Sequence, residues 1–199
     1  MRMGNRGLFV WLSCLAFLWM AGLAIPRNAA GSDLVDNPAL EISIHLKVLA
    51  YDRSVVQRGQ DKFMVAILFN SADAASKENA TKLQALLGRG GLKVQDQAIE
   101  AVAIAYSPST VGEDLGRVAA DAVYVGTGLD DAVDAILKIA TTKQLITLTG
   151  GLSSVKRGIA VGVYLRSNGR PGIAINLSTA RASGMILAPA VLSLATVFE

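Results

Sequence analysis

The chain has 199 residues, a mean hydropathy of +0.42 and a formal net charge of +3. With one cysteine and one histidine it excludes a disulfide scaffold and a zinc site built from Cys and His. No stretch clusters Lys and Arg with aromatics, which argues against a nucleic-acid surface, and no G-x-x-x-x-G-K-[ST] loop is present.

The first element is a targeting segment. Arg2 and Arg6 precede an uncharged apolar run from Gly7 to Ala24, and Gly22-Leu23-Ala24 places small residues where a signal peptidase reads. The pattern predicts a signal peptide over residues 1–24, cleaved after Ala24; Ala30, with Asn28 at the outer position, is a poorer match. The alternative is an uncleaved anchor, because a run of about 18 residues is near the lower limit for a span. Export predicts a periplasmic mature protein and removes most nucleotide-dependent chemistry. It takes away Cys14 and, with Arg2 and Arg6, lowers the charge from +3 to +1. Residues 25–37 read as a flexible leader and 38–199 as one domain. Residues 185–198 are apolar but short and interrupted by Pro189, so the mature form is expected not to be membrane-inserted.

Asn37-Pro38 reads as a helix start, with Asn as cap and Pro in the first turn. From Ala39 to Val56, Leu40, Ile42, Ile44, Leu46 and Val48 alternate as in a strand, whereas Ile42, Leu46 and Leu49 keep helical spacing; the cap and the length favour a helix. Lys62–Asn70 is a continuous apolar run, as in a strand buried on both faces. A helix follows over Ala74–Leu87, closed by Gly88-Arg89-Gly90-Gly91. Then come a strand at Gln97–Tyr106, a short helix at Thr110–Ala119, a strand at Asp121–Val125, a helix at Leu129–Thr141 and a strand at Gln144–Thr149. The alternation predicts a three-layer α/β/α fold with a mostly parallel central sheet and right-handed crossovers. Gly158–Arg166 and Pro171–Asn176 flank Ser167-Asn168-Gly169-Arg170, and Asn-Gly between strand-like runs predicts a C-terminal β-hairpin. Helix is expected over Ser178–Ser183 and Ala188–Phe198.

No catalytic constellation assembles. His45 stands on an apolar segment and reads as a packed or surface histidine. Gly126-Thr127-Gly128 lacks the third glycine of a dinucleotide turn, and Asp130 and Asp131 beside it would repel phosphate. Asp130, Asp131 and Asp134 read as dipole partners of a helix start, and Glu41 and Asp52 are too far apart to form a carboxylate pair. No catalytic residue, metal site or cofactor is predicted. A ligand, if there is one, belongs beyond the carboxyl ends of the parallel strands. Asn70, Ser71, Ser107, Ser109, Thr127, Thr149 and Gly150 stand there and suit a small polar or anionic molecule.

The C-terminal third resembles a known family. Gly158-Ile159-Ala160 opens a strand, Asn168-Gly169-Arg170 leads to Ile175-Asn176-Leu177, and Ala180, Gly184, Leu192, Leu194 and Ala195 follow. This pattern is similar to that of the YfiR family, and KFMVAILFN and DAVYVG extend the likeness upstream over roughly residues 38–199. Two departures are Arg157-Gly158 in place of a Gly pair and the absence of the cysteines that some members carry. The resemblance implies a non-catalytic regulator of the Gram-negative periplasm. Its partner would be the periplasmic domain of an inner-membrane signalling protein such as a diguanylate cyclase, and release would raise cyclic di-GMP. It also implies a capacity to form a homodimer. Tyr164, Arg166 and Arg170 on the hairpin are the candidate partner-binding residues, since Arg and Tyr are favoured anchors. The alternative reading is a small-molecule binding protein serving a transporter or sensor.

Overall fold

The computed structural model describes residues 37–58 and 62–199. The expectations for the signal, its cleavage sites, Cys14 and the leader up to residue 36 lie outside the described residues.

Asn37 decides the ambiguous first segment. Its Oδ1 accepts from the Ala39 and Leu40 N–H groups at 3.1 and 3.2 Å, and Pro38 follows it. Helix α1 (Pro38–Ala50) results, and Glu41, Ile42, His45, Val48 and Leu49 share its buried face. Helical spacing prevails over alternation because Leu40 points outward.

The central sheet has eight strands: β1 (Lys62–Phe69), β2 (Lys93–Val94), β3 (Gln97–Ala105), β4 (Ala122–Val125), β5 (Ile146–Thr149), β6 (Val161–Leu165), β7 (Pro171–Asn176) and β8 (Ala195–Phe198). Their order is β2-β3-β1-β4-β5-β6-β7-β8. Strands β3, β1, β4, β5 and β6 run parallel, with antiparallel pairs at β2–β3 and β6–β7 and a parallel β7–β8 pair. The connections are α2 (Ala74–Leu87), α3 (Val111–Arg117), α4 (Val133–Thr142, entered through a 3₁₀ turn at Asp130–Ala132), α5 (Leu152–Lys156), α6 (Leu177–Ala182) and α7 (Pro189–Leu192). Side-chain alternation along β1 divides the core. Phe63, Val65 and Ile67 pack with α1 and α2, while Ala66 and Leu68 pack with α3 and α4. The three-layer α/β/α prediction and the hairpin are therefore observed.

Four parts of the chain differ from expectation. Residues 188–198 are not one helix: α7 stops at Leu192, and Ala195–Phe198 form β8 against β7. The β-branched and aromatic Thr196, Val197 and Phe198 favour a strand once a partner edge exists, and that edge lies some twenty positions away in the sequence. Helix α5 and the two-residue β2 were not anticipated, being too short to show periodicity. The strand expected from Gly158 begins only at Val161, because Gly158 has φ +121° and turns the chain.

Candidate functional site

The carboxyl ends of β1 and β4 mark the point where strand order reverses, the usual place for a ligand crevice. Here the two loops are laced together. Ser76 Oγ donates to the Thr127 carbonyl at 2.6 Å and accepts from the Asn70 N–H at 3.0 Å. Asn70 Nδ2 donates to the Gly128 carbonyl at 3.1 Å, and the Gly126 N–H donates to the Leu68 carbonyl at 3.0 Å. A Cβ on Gly126 would sit 2.5 Å from that same Leu68 oxygen. Asp73 caps α2, accepting from the Ala75 and Ser76 N–H groups, so its carboxylate occupies the place an anion would take.

Of the residues predicted for a ligand, the structure thus brings Asn70 and Thr127 together, with exposed Ser71 beside them. Ser107 and Ser109 bond each other, oxygen to oxygen at 3.1 Å, in the loop before α3. Thr149 is buried and donates to the Val125 carbonyl at 3.4 Å. Gly150 is buried too, and its N–H bonds the Tyr124 oxygen. Asp134 pairs with Arg157 at 3.2 Å, in keeping with its reading as a surface dipole partner. Among the described residues no group of three His, Cys, Asp or Glu side chains is placed to hold a metal ion.

Behind Gly150 lies a polar cluster that sequence reasoning missed. Tyr124 Oη donates to Glu41 Oε1 at 2.6 Å, and both residues are buried. Burial, reinforced by the Glu41 carboxylate, holds the Tyr124 hydroxyl well above the ordinary phenol range; the Gly150 N–H acts the other way. His45 meets the Tyr124 ring edge-on, with centroids 6.0 Å apart, and its Nε2 lies 3.5 Å from Glu41 Oε1. Neither ring nitrogen has a hydrogen-bond partner. His45 is packed, the first of the two readings of it. The available signal was the Glu41/His45 spacing of four residues within an otherwise apolar helical face.

A second buried group ties the end of α1 to the C-terminal part of the chain. Asp52 Oδ1 accepts from the Ser54 N–H (2.9 Å), the Ser54 hydroxyl (2.9 Å) and the Ile186 N–H (2.8 Å). Arg58 donates to the Gln144 carbonyl at 2.7 Å and to the Ser183 carbonyl. Burial lowers the Arg58 pKa, while Asp52 and Asp121 raise it; burial likewise raises Asp121, against the Met64 N–H and Arg58. Each of these groups is held by internal partners, which identifies the cluster as structural.

The hairpin residues gather toward the β8 edge of the sheet. Tyr164 Oη and Thr196 Oγ1 are 2.8 Å apart, and Arg166 reaches the Leu194 carbonyl at 3.4 Å. Both side chains lie over Gly172, where a Cβ would come within 2.8 Å of each. Arg170 stands apart and exposed at the loop, its N–H held by Asn168 Oδ1. Beside the hairpin, α1 and α7 enclose an apolar groove of about 380 Å³ to which Arg166 contributes. Among the described residues no helix is long and apolar enough to cross a membrane.

A family described as YfiR/HmsC-like matches residues 56–196. No curated protein matches the chain. Among solved structures, the chain is similar to the ABC domain in complex with L-Trp from Streptococcus pneumonia (12% identity, 81% of this chain, 62% of that one, TM-score 0.58). It is similar also to a conserved domain protein from Vibrio cholerae (12% identity, 81% of this chain, 60% of that one, TM-score 0.58). A third is the ligand-free, open structure of CD0873, a substrate binding protein with adhesive properties from Clostridium difficile (12% identity, 73% of this chain, 57% of that one, TM-score 0.54). The chain thus spans less than two thirds of each of these structures. At such identity the likeness shows the fold alone, an α/β fold with a mostly parallel sheet.

Proposed function

Because the chain belongs to the YfiR/HmsC-like family, we propose that it is a non-catalytic periplasmic regulator. It binds the periplasmic sensor domain of an inner-membrane signalling protein, a diguanylate cyclase or a sensor kinase, and holds the cytoplasmic output low. The family match over residues 56–196 carries this reading. The export signal read in residues 1–24 supports it. So does the hairpin, where Tyr164 and Arg166 are set out on the sheet surface as Arg and Tyr anchors are at interfaces. Such a regulator needs no reaction and no cofactor, only a difference in affinity for two states of its receptor. Self-association belongs to the reading as a second protein contact, checked by sedimentation.

The test is capture of the receptor by the full-length protein expressed in its cell and crosslinked before the inner membrane is solubilised. Recovery of one signalling protein through its periplasmic domain is expected. Recovery of none overturns the reading.

A second reading is a binding protein for a small polar or anionic molecule at Asn70, Ser71, Ser107, Ser109, Thr127, Thr149 and Gly150. The likeness of fold to a domain in complex with L-Trp favours it. A metabolite that raises the melting temperature in proportion to the logarithm of its concentration would support it.

A further inference from the structure

We propose that the groove between α1 and α7 is the docking site for an acidic amphipathic helix of the protein partner. The inference rests on the regulator reading and names the surface and the chemistry of its ligand.

The groove has an apolar floor made by Val48, Ile173 and Val191. Two large apolar side chains on its walls remain in water, Tyr51 at 51% and Leu194 at 66% exposure. Exposed apolar surface in a concave setting marks a contact surface. The only charged groups among its lining residues are Lys47 and Arg166, and neither forms an ion pair among the described residues. An apolar segment entering here therefore meets two cations and no anion, and charge complementarity requires carboxylates on it.

The walls settle the form of that segment. They are side chains of two helices, of Leu194 just after α7 and of the β6–β7 hairpin, whose strands already pair with each other. Among the described residues that line the groove none belongs to the edge strand β8, so an extended segment lying in it would leave its own N–H and C=O groups without a ladder. A helix satisfies its backbone internally and presents apolar anchors at positions i, i+3, i+4 and i+7.

The test uses two labelled peptides of roughly 18 residues, long enough to be helical in water. Both carry Leu at i, i+3, i+4 and i+7 positions; one has Glu and the other Lys elsewhere. Fluorescence anisotropy against the full-length protein should show saturable binding of the Glu peptide, weaker at high salt, with the Lys peptide at least about tenfold poorer. Lys47→Glu with Arg166→Glu should reverse that preference, and Leu194→Asp should weaken the Glu peptide by about tenfold or more. All three side chains are exposed or on the rim, so unfolding midpoints, measured alongside, should stay near wild type. Equal binding of both peptides, or indifference to charge reversal, overturns the proposal. So does a dimer that Leu194→Asp dissociates, because a second copy would then occupy the groove. If the charge-reversed protein still captures a receptor from crosslinked membranes, the groove assignment fails while the regulator reading stands. If wild type captures none, it is the regulator reading that fails.

Discussion

Tyr124 on the central sheet donates to Glu41 on the first helix across 2.6 Å, deep in the core and 83 positions apart in the sequence. The bond fixes where α1 sits on β4. Tyr124→Phe leaves a buried carboxyl group without its donor and should cost about 1–3 kcal/mol. Glu41→Gln tests the other side. Urea denaturation of both single variants and the double variant gives the coupling, which should be favourable and of order 1 kcal/mol or more. Additive single effects would show that the contact does not hold the helix.

The same hydroxyl predicts a pH dependence. In the unfolded chain the phenol ionises near about pH 10, whereas in the folded protein its pKa is raised well above that. Above the unfolded value the unfolded state therefore binds fewer protons than the folded one, and stability falls as pH rises. The contribution is complete below about pH 10 and declines above it. Denaturant midpoints across that range should slope downward in wild type and flatten in Tyr124→Phe.

Asp52 should be the more costly deletion. Its Oδ1 receives the Ile186 N–H as well as two donors from Ser54. Asp52→Ala should lose about 2–4 kcal/mol and speed hydrogen exchange at Ile186. Asp52→Asn, which keeps an acceptor oxygen, should recover part of the loss. Unchanged exchange at Ile186 would contradict this account.

Two glycine substitutions should have opposite signs. At Gly126 the new methyl meets a backbone carbonyl 2.5 Å away, which cannot swing aside, so Gly126→Ala should cost about 1–3 kcal/mol. At Gly112, inside α3, the nearest neighbour of a Cβ is Ile139 Cγ2 at 3.9 Å. Gly112→Ala should stabilise by about 0.5–1 kcal/mol through the lower entropy of the unfolded chain. Thermal melts of the pair decide it.

Much of the sheet was legible because its signals are local. The uninterrupted KFMVAILF run could only be buried on both faces, and Asn168-Gly169 could only turn a hairpin. What stayed hidden depends on partners distant in sequence. Nothing near Thr196-Val197-Phe198 announces a strand; its ladder comes from β7. The strand ends were located correctly, but their small polar residues read alike whether they wait for a ligand or bond one another. The Ser76 hydroxyl that bonds both Asn70 and Thr127 could not be foreseen from the strand-end pattern, because it sits inside α2. The Glu41–Tyr124 bond was hidden for the same reason.

Gly172 supplies a prediction at the hairpin. Tyr164 and Arg166 lie across it, and a methyl group there would push both aside. Gly172→Ala should reduce receptor capture several-fold. Relaxation of two partly exposed side chains should limit the fall in unfolding midpoint to about 1 kcal/mol. A loss of folded protein matching the loss of capture would remove the hairpin from the interface.

The strand order carries a consequence for the order in which the sheet can assemble. Among the described residues β1 is the first strand in the chain and lies inside the sheet; β3, which carries the short β2 on its outer edge, and then β4 take the places on either side of it. From β4 onward every new strand is added at the outer edge of the one before it. Growth is therefore outward from an early seed, and no late strand has to be threaded between strands already paired. β8, the last of the eight among the described residues, closes an edge, so every other neighbour pair of the sheet is independent of it.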